Sequence, residues 1–141
     1  MEGPFKGPPS FFEKKKMQHR FDYNTKVQLK EKRLSAGLVS DRFPRIHSMI
    51  IHISHYDKRM VEPLFMERTI NVFPASYAYF DIACHTRECE GSFNLLPVIS
   101  GMVNDRRESA KGKLECPGNS TVPAGHACIT YEISIEYKDP K

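Results

Sequence analysis

The clearest pattern along the chain is an alternation of apolar and polar residues close to its C-terminus. Ile129, Tyr131, Ile133, Ile135 and Tyr137 alternate with Thr130, Glu132, Ser134 and Glu136. A period of two predicts a β-strand with one face on the core and the other in water. Residues 46–56, 68–73, 77–84 and 111–116 also have strand-like composition and spacing, and we expect them to complete an antiparallel sheet.

One segment has the spacing of a helix. Asn94 is a suitable N-cap, Pro97 is tolerated in the first turn, and an apolar stripe runs to about Arg107. A shorter helix is expected to begin near Lys30, with Val27 and Leu29 in a short strand before it. The pattern therefore predicts an α+β fold with a small antiparallel sheet of four to five strands and one main helix.

Composition divides the chain into a leader and one domain. Residues 1–21 are rich in Gly, Pro, Phe and Lys and are not expected to fold alone, whereas residues 22–141 are expected to form a single α+β domain. No run approaches the roughly 18 apolar residues of a membrane helix, and residues 1–20 lack the apolar centre of a secretory signal. We therefore expect a soluble, cytoplasmic protein that does not bind membranes.

Positive charge is concentrated in the first third of the chain. Residues 1–45 carry 11 Lys and Arg against 5 Asp and Glu, whereas residues 46–141 carry 10 against 12. Such an excess favours contact with nucleic-acid phosphates, although a solvated basic tail explains it equally well. The leader residues that we expect to contact RNA or DNA are Lys14, Lys15, Lys16 and Arg20. Phe5, Phe11 and Phe12 can stack on bases or anchor residues 1–20 on a protein partner.

The four cysteines of the chain form two pairs, Cys84 with Cys89 and Cys116 with Cys128. In a reducing compartment, paired cysteines hold metal more often than they form disulfides. We therefore predict a structural Zn²⁺ site with these four sulfurs as ligands, the alternative being buried cysteines without metal. The neighbouring His85 and His126 are interpreted as solvent-exposed or supporting neighbours, because His85 would face away from Cys84 on a strand.

The arrangement of the two cysteine pairs resembles that of zinc-ribbon-like modules over residues 80–137. The resemblance implies a metal ion that fixes the fold and performs no chemistry, since four cysteine ligands leave no open coordination position.

These observations favour a non-enzymatic, zinc-stabilised adaptor that binds nucleic acid or a ribonucleoprotein. Tyr77 and Tyr79 are candidates for base stacking, and Arg106 and Arg107 for phosphate contacts. The alternative function is a protein-interaction domain that uses the aromatic and basic leader. An enzyme that uses the sheet histidines is disfavoured, because no ordered catalytic motif accompanies them and we expect His47, His52 and His55 on the surface of the sheet.

Overall fold

The computed structural model describes residues 26–138, which begin with two helices. The chain divides into two units, Met1–Ala36 and Gly37–Lys141. In the first unit the described residues form helix α1 (residues 26–36), and the second unit begins with the short helix α2 (Val39–Arg42). The strand predicted at Val27 and Leu29 is therefore wrong, because the strong helix formers Lys, Gln, Glu and Arg surround these two residues. The expected leader boundary at residue 21 lies outside the described residues.

Six strands and a third helix follow α2. Their bounds are β1 (Ile46–Asp57), β2 (Leu64–Val72), β3 (Asp81–Ala83), β4 (Ser92–Asn94), α3 (Leu96–Asn104), β5 (Ser109–Glu115) and β6 (Ala127–Tyr137). Four strands form an antiparallel sheet in the order β2-β1-β6-β5, and β3 pairs with β4 in a separate two-stranded sheet. The α+β class, the antiparallel sheet and the helix expected from the sequence are confirmed.

The two faces of the main sheet differ in polarity. On one face, Met49 and Ile51 of β1 lie opposite isoleucines of β6, Ile53 lies opposite Tyr131, and the three β1 side chains are almost completely buried. Helix α3 contributes Ile99 and Met102 to the same apolar cluster. The opposite face is largely polar. The strand predicted for residues 129–137 therefore has one face on the core and the other in water, as expected, and α3 contributes to the core beneath the sheet.

The third predicted strand, residues 77–84, is regular only over its second half. Leu38 forms an isolated bridge with Tyr77, and the Ala78 amide donates to the Gly37 carbonyl at 2.7 Å. The segment before β3 therefore pairs with the chain that enters α2, so it does not become a fifth strand of the main sheet. In the separate sheet, Ile82 lies opposite Phe93, and both side chains are buried in the common core.

Candidate metal centre

Two hairpins bring three cysteines and one histidine together. Cys84 and Cys89 follow β3 in the connection to β4, whereas Cys116 directly follows β5 and His126 directly precedes β6. The sulfur atoms of the cysteines and a ring nitrogen of His126 all lie within 4.8 Å of one another. These four residues are therefore close enough to hold a metal ion.

The distances among these atoms fit a tetrahedral ion. With metal–sulfur and metal–nitrogen bonds of about 2.3 and 2.0–2.1 Å, a tetrahedral site separates two sulfurs by about 3.8 Å and a sulfur from a nitrogen by about 3.6 Å. The sulfurs of Cys89 and Cys116 are 3.5 Å apart, and the Cys84 sulfur is 3.7 Å from Nε2 of His126. The donor set thus encloses a space of the right size for one such ion.

Each hairpin presents a backbone amide to one of the sulfurs. The Gly91 amide donates to Cys89 Sγ at 3.3 Å, and the Gly118 amide donates to Cys116 Sγ at 3.4 Å. Both pairs have the sequence Cys-x-Gly, although only Gly118 has a positive φ. An N–H group that points at a sulfur stabilises its anionic form, which is the form that binds metals.

The two glycines are required by the crowding of the centre. A Cβ atom on Gly91 would lie 2.9 Å from the Cys116 sulfur, inside van der Waals contact. Gly118 has a φ of +75°, and a Cβ atom there would lie 2.6 Å from the Val122 carbonyl oxygen. Any larger residue would therefore displace the sulfurs or the backbone that carries them.

Hydrogen bonds orient the His126 ring. Its Nδ1 lies 2.9 Å from the Pro123 carbonyl oxygen, which accepts only from a protonated nitrogen, so Nε2 keeps its lone pair toward the sulfurs. The Thr86 oxygen lies 2.8 Å from Nε2 and 3.0 Å from Cys84 Sγ, so its hydroxyl can donate to either. The imidazole is thus held in the tautomer that a metal ligand needs.

The thiols of Cys89 and Cys116 differ in acidity. Burial raises the pKa of the Cys116 thiol to about 12. Burial also acts against ionisation of Cys89, but hydrogen bonds from the Gly91 amide and the Cys116 thiol outweigh it and lower the pKa of Cys89. The Cys89 thiol therefore ionises more readily than the Cys116 thiol, and binding of a divalent cation would displace the protons of both.

The group that the structure assembles contains His126, whereas the sequence analysis expected Cys128 as the fourth ligand. Cys128 lies within β6, opposite Glu115 of β5. Because neighbouring residues of a strand face opposite sides, Cys128 shares a face with Thr130, whereas Cys116 continues β5 on the face of Ala127 and Ile129. Cys128 is thus directed away from the other sulfurs, and His126, which the sequence analysis interpreted as a neighbour, lies among the atoms that could hold an ion.

The other histidines among residues 26–138 lie outside this group. The His85 ring is exposed and makes an edge contact with the ring of His55 at 5.4 Å between centroids. His47 is exposed, and His52 lies on the polar face with Nδ1 3.1 Å from the Thr69 hydroxyl. The expected surface position is wrong for His55, which is 1% exposed because the alternation of β1 directs it to the core with Ile51 and Ile53.

The residues predicted to contact nucleic acid lie on several elements. Lys14, Lys15, Lys16 and Arg20 lie outside the described residues. Tyr77 is 41% exposed and Tyr79 is half-buried, both before β3. After α3, the Arg106 guanidinium lies 5.4 Å from the centroid of the Tyr137 ring, and Arg107 pairs with Asp105 at 3.8 Å. Both arginines therefore make contacts within their own unit.

Comparison with known proteins assigns no relative to this chain: no family model, no curated protein and no solved structure matches it. Within residues 26–138, no helix has both the length and the apolar character needed to cross a membrane. The functional interpretation therefore depends on the metal centre and on the charges and surfaces around it.

Proposed function

We propose that the chain is a non-enzymatic binding module in which a structural zinc ion joins two hairpins through Cys84, Cys89, Cys116 and His126. The observation that carries the proposal is the approach of four donor atoms within 4.8 Å, although they come from hairpins far apart in the sequence. Three thiolates and one imidazole form a common ligand set of structural zinc. Four protein ligands leave no coordination position for a substrate, so the ion stabilises the fold and performs no reaction.

The test compares two cysteines of the same β5–β6 hairpin, both of which are buried. Elemental analysis of the purified full chain should find one zinc ion per molecule in the wild type and in Cys128→Ser, and a clear loss in Cys116→Ser. Substitution of the zinc by Co²⁺ should give the absorption of a tetrahedral thiolate site in the first two proteins. Wild-type protein that binds neither ion after reduction and reconstitution would contradict the proposal.

A second pair of variants tests the histidine. His126→Gln removes the imidazole that lies among the sulfurs, whereas His85→Gln removes an imidazole one residue from Cys84 that lies outside the group. We expect weaker zinc binding in His126→Gln and unchanged binding in His85→Gln. The reverse result would show that His85, and not His126, is the fourth ligand.

We propose nucleic acid as the partner of this module, bound mainly through the N-terminal part of the chain. Helix α1 supports this assignment because Lys26, Lys30, Lys32 and Arg33 are exposed, with Glu31 as the one acidic residue among residues 26–36. In residues 37–138 acidic and basic side chains are nearly balanced. Attraction to phosphates would therefore come from α1 and from the basic residues that precede it.

Salt dependence tests this partner. The logarithm of the binding constant for RNA or DNA should fall linearly with the logarithm of the salt concentration. A Lys30→Gln/Arg33→Gln double variant should reduce the slope by roughly one for each lost phosphate contact. Lys111→Gln/Lys113→Gln removes the same charge from exposed positions of β5 and should leave the slope nearly unchanged. Affinity that is absent or independent of salt would exclude nucleic acid.

A protein-interaction function is the second candidate, and one observation favours it. Met60, Val61, Leu64 and Phe65 are exposed apolar side chains around the turn between β1 and β2. An apolar group of this kind is typical of a surface that another protein covers. Light scattering and pull-down with Val61→Asp should then show a lost partner or assembly, whereas a function that depends only on nucleic acid predicts no change.

A further inference from the structure

A second polar cluster lies on the core side of the main sheet, where β1 and β2 pair. His55 of β1 lies opposite Met66, and Arg68 of β2 lies opposite Ile53, which makes His55 and Arg68 diagonal neighbours on one face. The pairing is irregular next to His55: Tyr56 pairs with Leu64, so Phe65 is the extra residue on β2. Bulges of this kind often redirect side chains beside binding sites.

The cluster contains two buried nitrogen atoms without a hydrogen-bond partner. They are Nε2 of His55, whose side chain is almost fully buried, and Nε of Arg68, whose side chain is half-buried. Burial of a polar group without a partner is costly, and most such groups in proteins are paired with protein or water. Two unpartnered nitrogens on adjacent strands therefore indicate a ligand that supplies the missing acceptors.

The surroundings of these nitrogens favour an anion. The guanidinium of Arg68 is always positive and is close enough to act electrostatically on the rings of both His55 and His85. Among the described residues, no carboxylate forms an ion pair with Arg68 or His55. A metal cation on the two imidazoles would be repelled by the guanidinium, whereas an anion would be attracted to it.

Aromatic rings border the His55 side chain. The rings of Phe65 and Phe93 lie 6.0 and 6.5 Å from the His55 ring, measured between centroids. Phe93 is buried, whereas Phe65 and His85 are exposed, so the cluster meets solvent on the side of these two residues. A ligand would therefore approach Nε2 from the side of Phe65 and His85.

We propose that His55 and Arg68 form a binding site for a small oxyanion, a phosphate or a carboxylate, with the ring of His85 at its opening. The oxyanion would accept hydrogen bonds from Nε2–H of neutral His55 and from the Nε edge of the guanidinium, which binds oxyanions in a two-pronged manner. This site is distinct from the proposed zinc ligands, and it requires no charge on either imidazole.

The neutral state of His55 agrees with this arrangement. Burial, together with the neighbouring His85 and Arg68, lowers the pKa of His55 to about 4. A neutral imidazole still offers one N–H donor, so the positive charge of the site comes from Arg68. An inward-directed charge on an edge strand also discourages pairing with other sheets, but that role would not require an unpartnered imidazole nitrogen beside it.

The first experiment follows the histidine side chains of the wild-type full chain by ¹H–¹⁵N NMR. Inorganic phosphate and acetate are titrated separately at constant ionic strength and pH, with chloride as the reference anion. A saturable shift of the His55 Nε2 signal with either oxyanion supports the proposal and identifies the anion class. If neither oxyanion shifts this signal more than chloride does, the proposal is overturned.

The second experiment removes the charge. Arg68→Gln should weaken binding of the effective oxyanion roughly ten- to hundredfold, as expected for a lost hydrogen bond to a charged group. Arg45→Gln, which removes an exposed arginine elsewhere in the same unit, should leave the affinity unchanged. Equal losses in the two variants would show a general charge effect and overturn the proposal, and an unaltered circular dichroism spectrum would show that Arg68→Gln retains its fold.

Discussion

The main sheet and the metal centre are stabilised in different ways. In the sheet, side chains such as Ile51 and Ile133 are about 1% exposed and pack against an apolar cluster. In the centre, the grouped side chains are two buried thiols, the half-buried thiol of Cys89, an imidazole and a hydroxyl, and the connections between them consist mostly of turns. Apolar contact can hold the sheet in the absence of any ligand, whereas the proposed zinc ion would hold the polar groups of the centre together.

Cys84 and Cys116 of the centre belong to the same core cluster as the sheet isoleucines, and backbone hydrogen bonds also join the two regions. The Lys58 amide donates to the His126 carbonyl at 2.9 Å, and the Cys116 amide donates to the Ala127 carbonyl at the same distance. Both contacts lie at the ends of strands, so the turns of the centre extend beyond the regular ladder. The difference teaches that the sheet sets the position of the centre, while the proposed ligation would set its internal order.

The largest expected effect is that of removing the ion. An ion bound at about 1,000 times its dissociation constant stabilises a fold by about 4 kcal/mol, and this contribution disappears when a chelator is added. Hydrogen exchange should then accelerate first at the amides of Gly91 and Gly118, while amides of β1 and β6 remain protected. Simultaneous loss of protection in both regions would show that the sheet depends on the ion as well.

A cavity in the sheet should produce the opposite pattern. Ile51→Ala removes a fully buried side chain and should cost about 2–5 kcal/mol of unfolding free energy, measured by urea denaturation. Ile50→Ala, one residue away and 49% exposed, should cost much less. Zinc content should be unchanged in both variants, and loss of the ion from Ile51→Ala would contradict independent stabilisation of the two regions.

Two glycine substitutions separate the cost of backbone strain from the cost of steric crowding. Gly37 and Gly118 both have positive φ, but a Cβ atom on Gly37 meets no atom within 4 Å, whereas one on Gly118 collides with backbone. Gly37→Ala should cost about 1–2 kcal/mol from strain alone. Gly118→Ala should cost more and should also weaken zinc binding, measured by competition with a chromogenic chelator. Equal costs with normal zinc affinity would show that the turn at Gly118 is less constrained than its contacts indicate.

The smallest expected effect is at the junction of the two regions and depends on pH. Hydrogen bonds from Arg59 at 2.9 and 3.0 Å lower the pKa of the Asp57 carboxyl below its ordinary value. Because the pKa is lower in the folded state, the stabilisation is complete above the unfolded value of about 3.9 and disappears as pH falls through the folded value.

Thermal unfolding of the chelated protein tests this sign. At pH 7, Asp57→Asn should melt below the wild type, and the difference should close as pH falls below about 4. The control Asp105→Asn removes an exposed ion pair with Arg107 and should show little difference at either pH. A difference in melting temperature between Asp57→Asn and the wild type that persists in acid would show that altered packing, and not the lost charge, causes it.

The sequence predicts the sheet well because alternation directly reports which side of a strand is buried. It places β1, β5, β6 and α3 within a few residues of their observed bounds. The same rule, applied to the position of Cys128 beside Thr130, also separates this cysteine from Cys116. The sequence therefore already indicated that Cys116 and Cys128 face opposite sides of the sheet. The spacing of the four cysteines in two pairs favoured a grouping of all four instead.

Other features could not be read from local pattern. His126 joins the candidate metal centre because the turn from Pro123 to Gly125 places its ring beside Thr86, a residue 40 positions away. Residues 77–80 pair with the chain near Leu38, which depends on tertiary contact. The diagonal relation of His55 to Arg68 requires the register of β1 and β2, which alternation alone does not fix.

The order of the four metal ligands along the chain has a consequence for biosynthesis. Cys84 and Cys89 leave the ribosome first, and alone they offer an ion only two donors. Cys116 follows, and His126 completes the set only when the segment that becomes β6 is about to be made. In the proposed zinc module, tight capture of the ion would therefore coincide with insertion of β6 between β1 and β5, so metal loading would report the last step of folding and not its beginning.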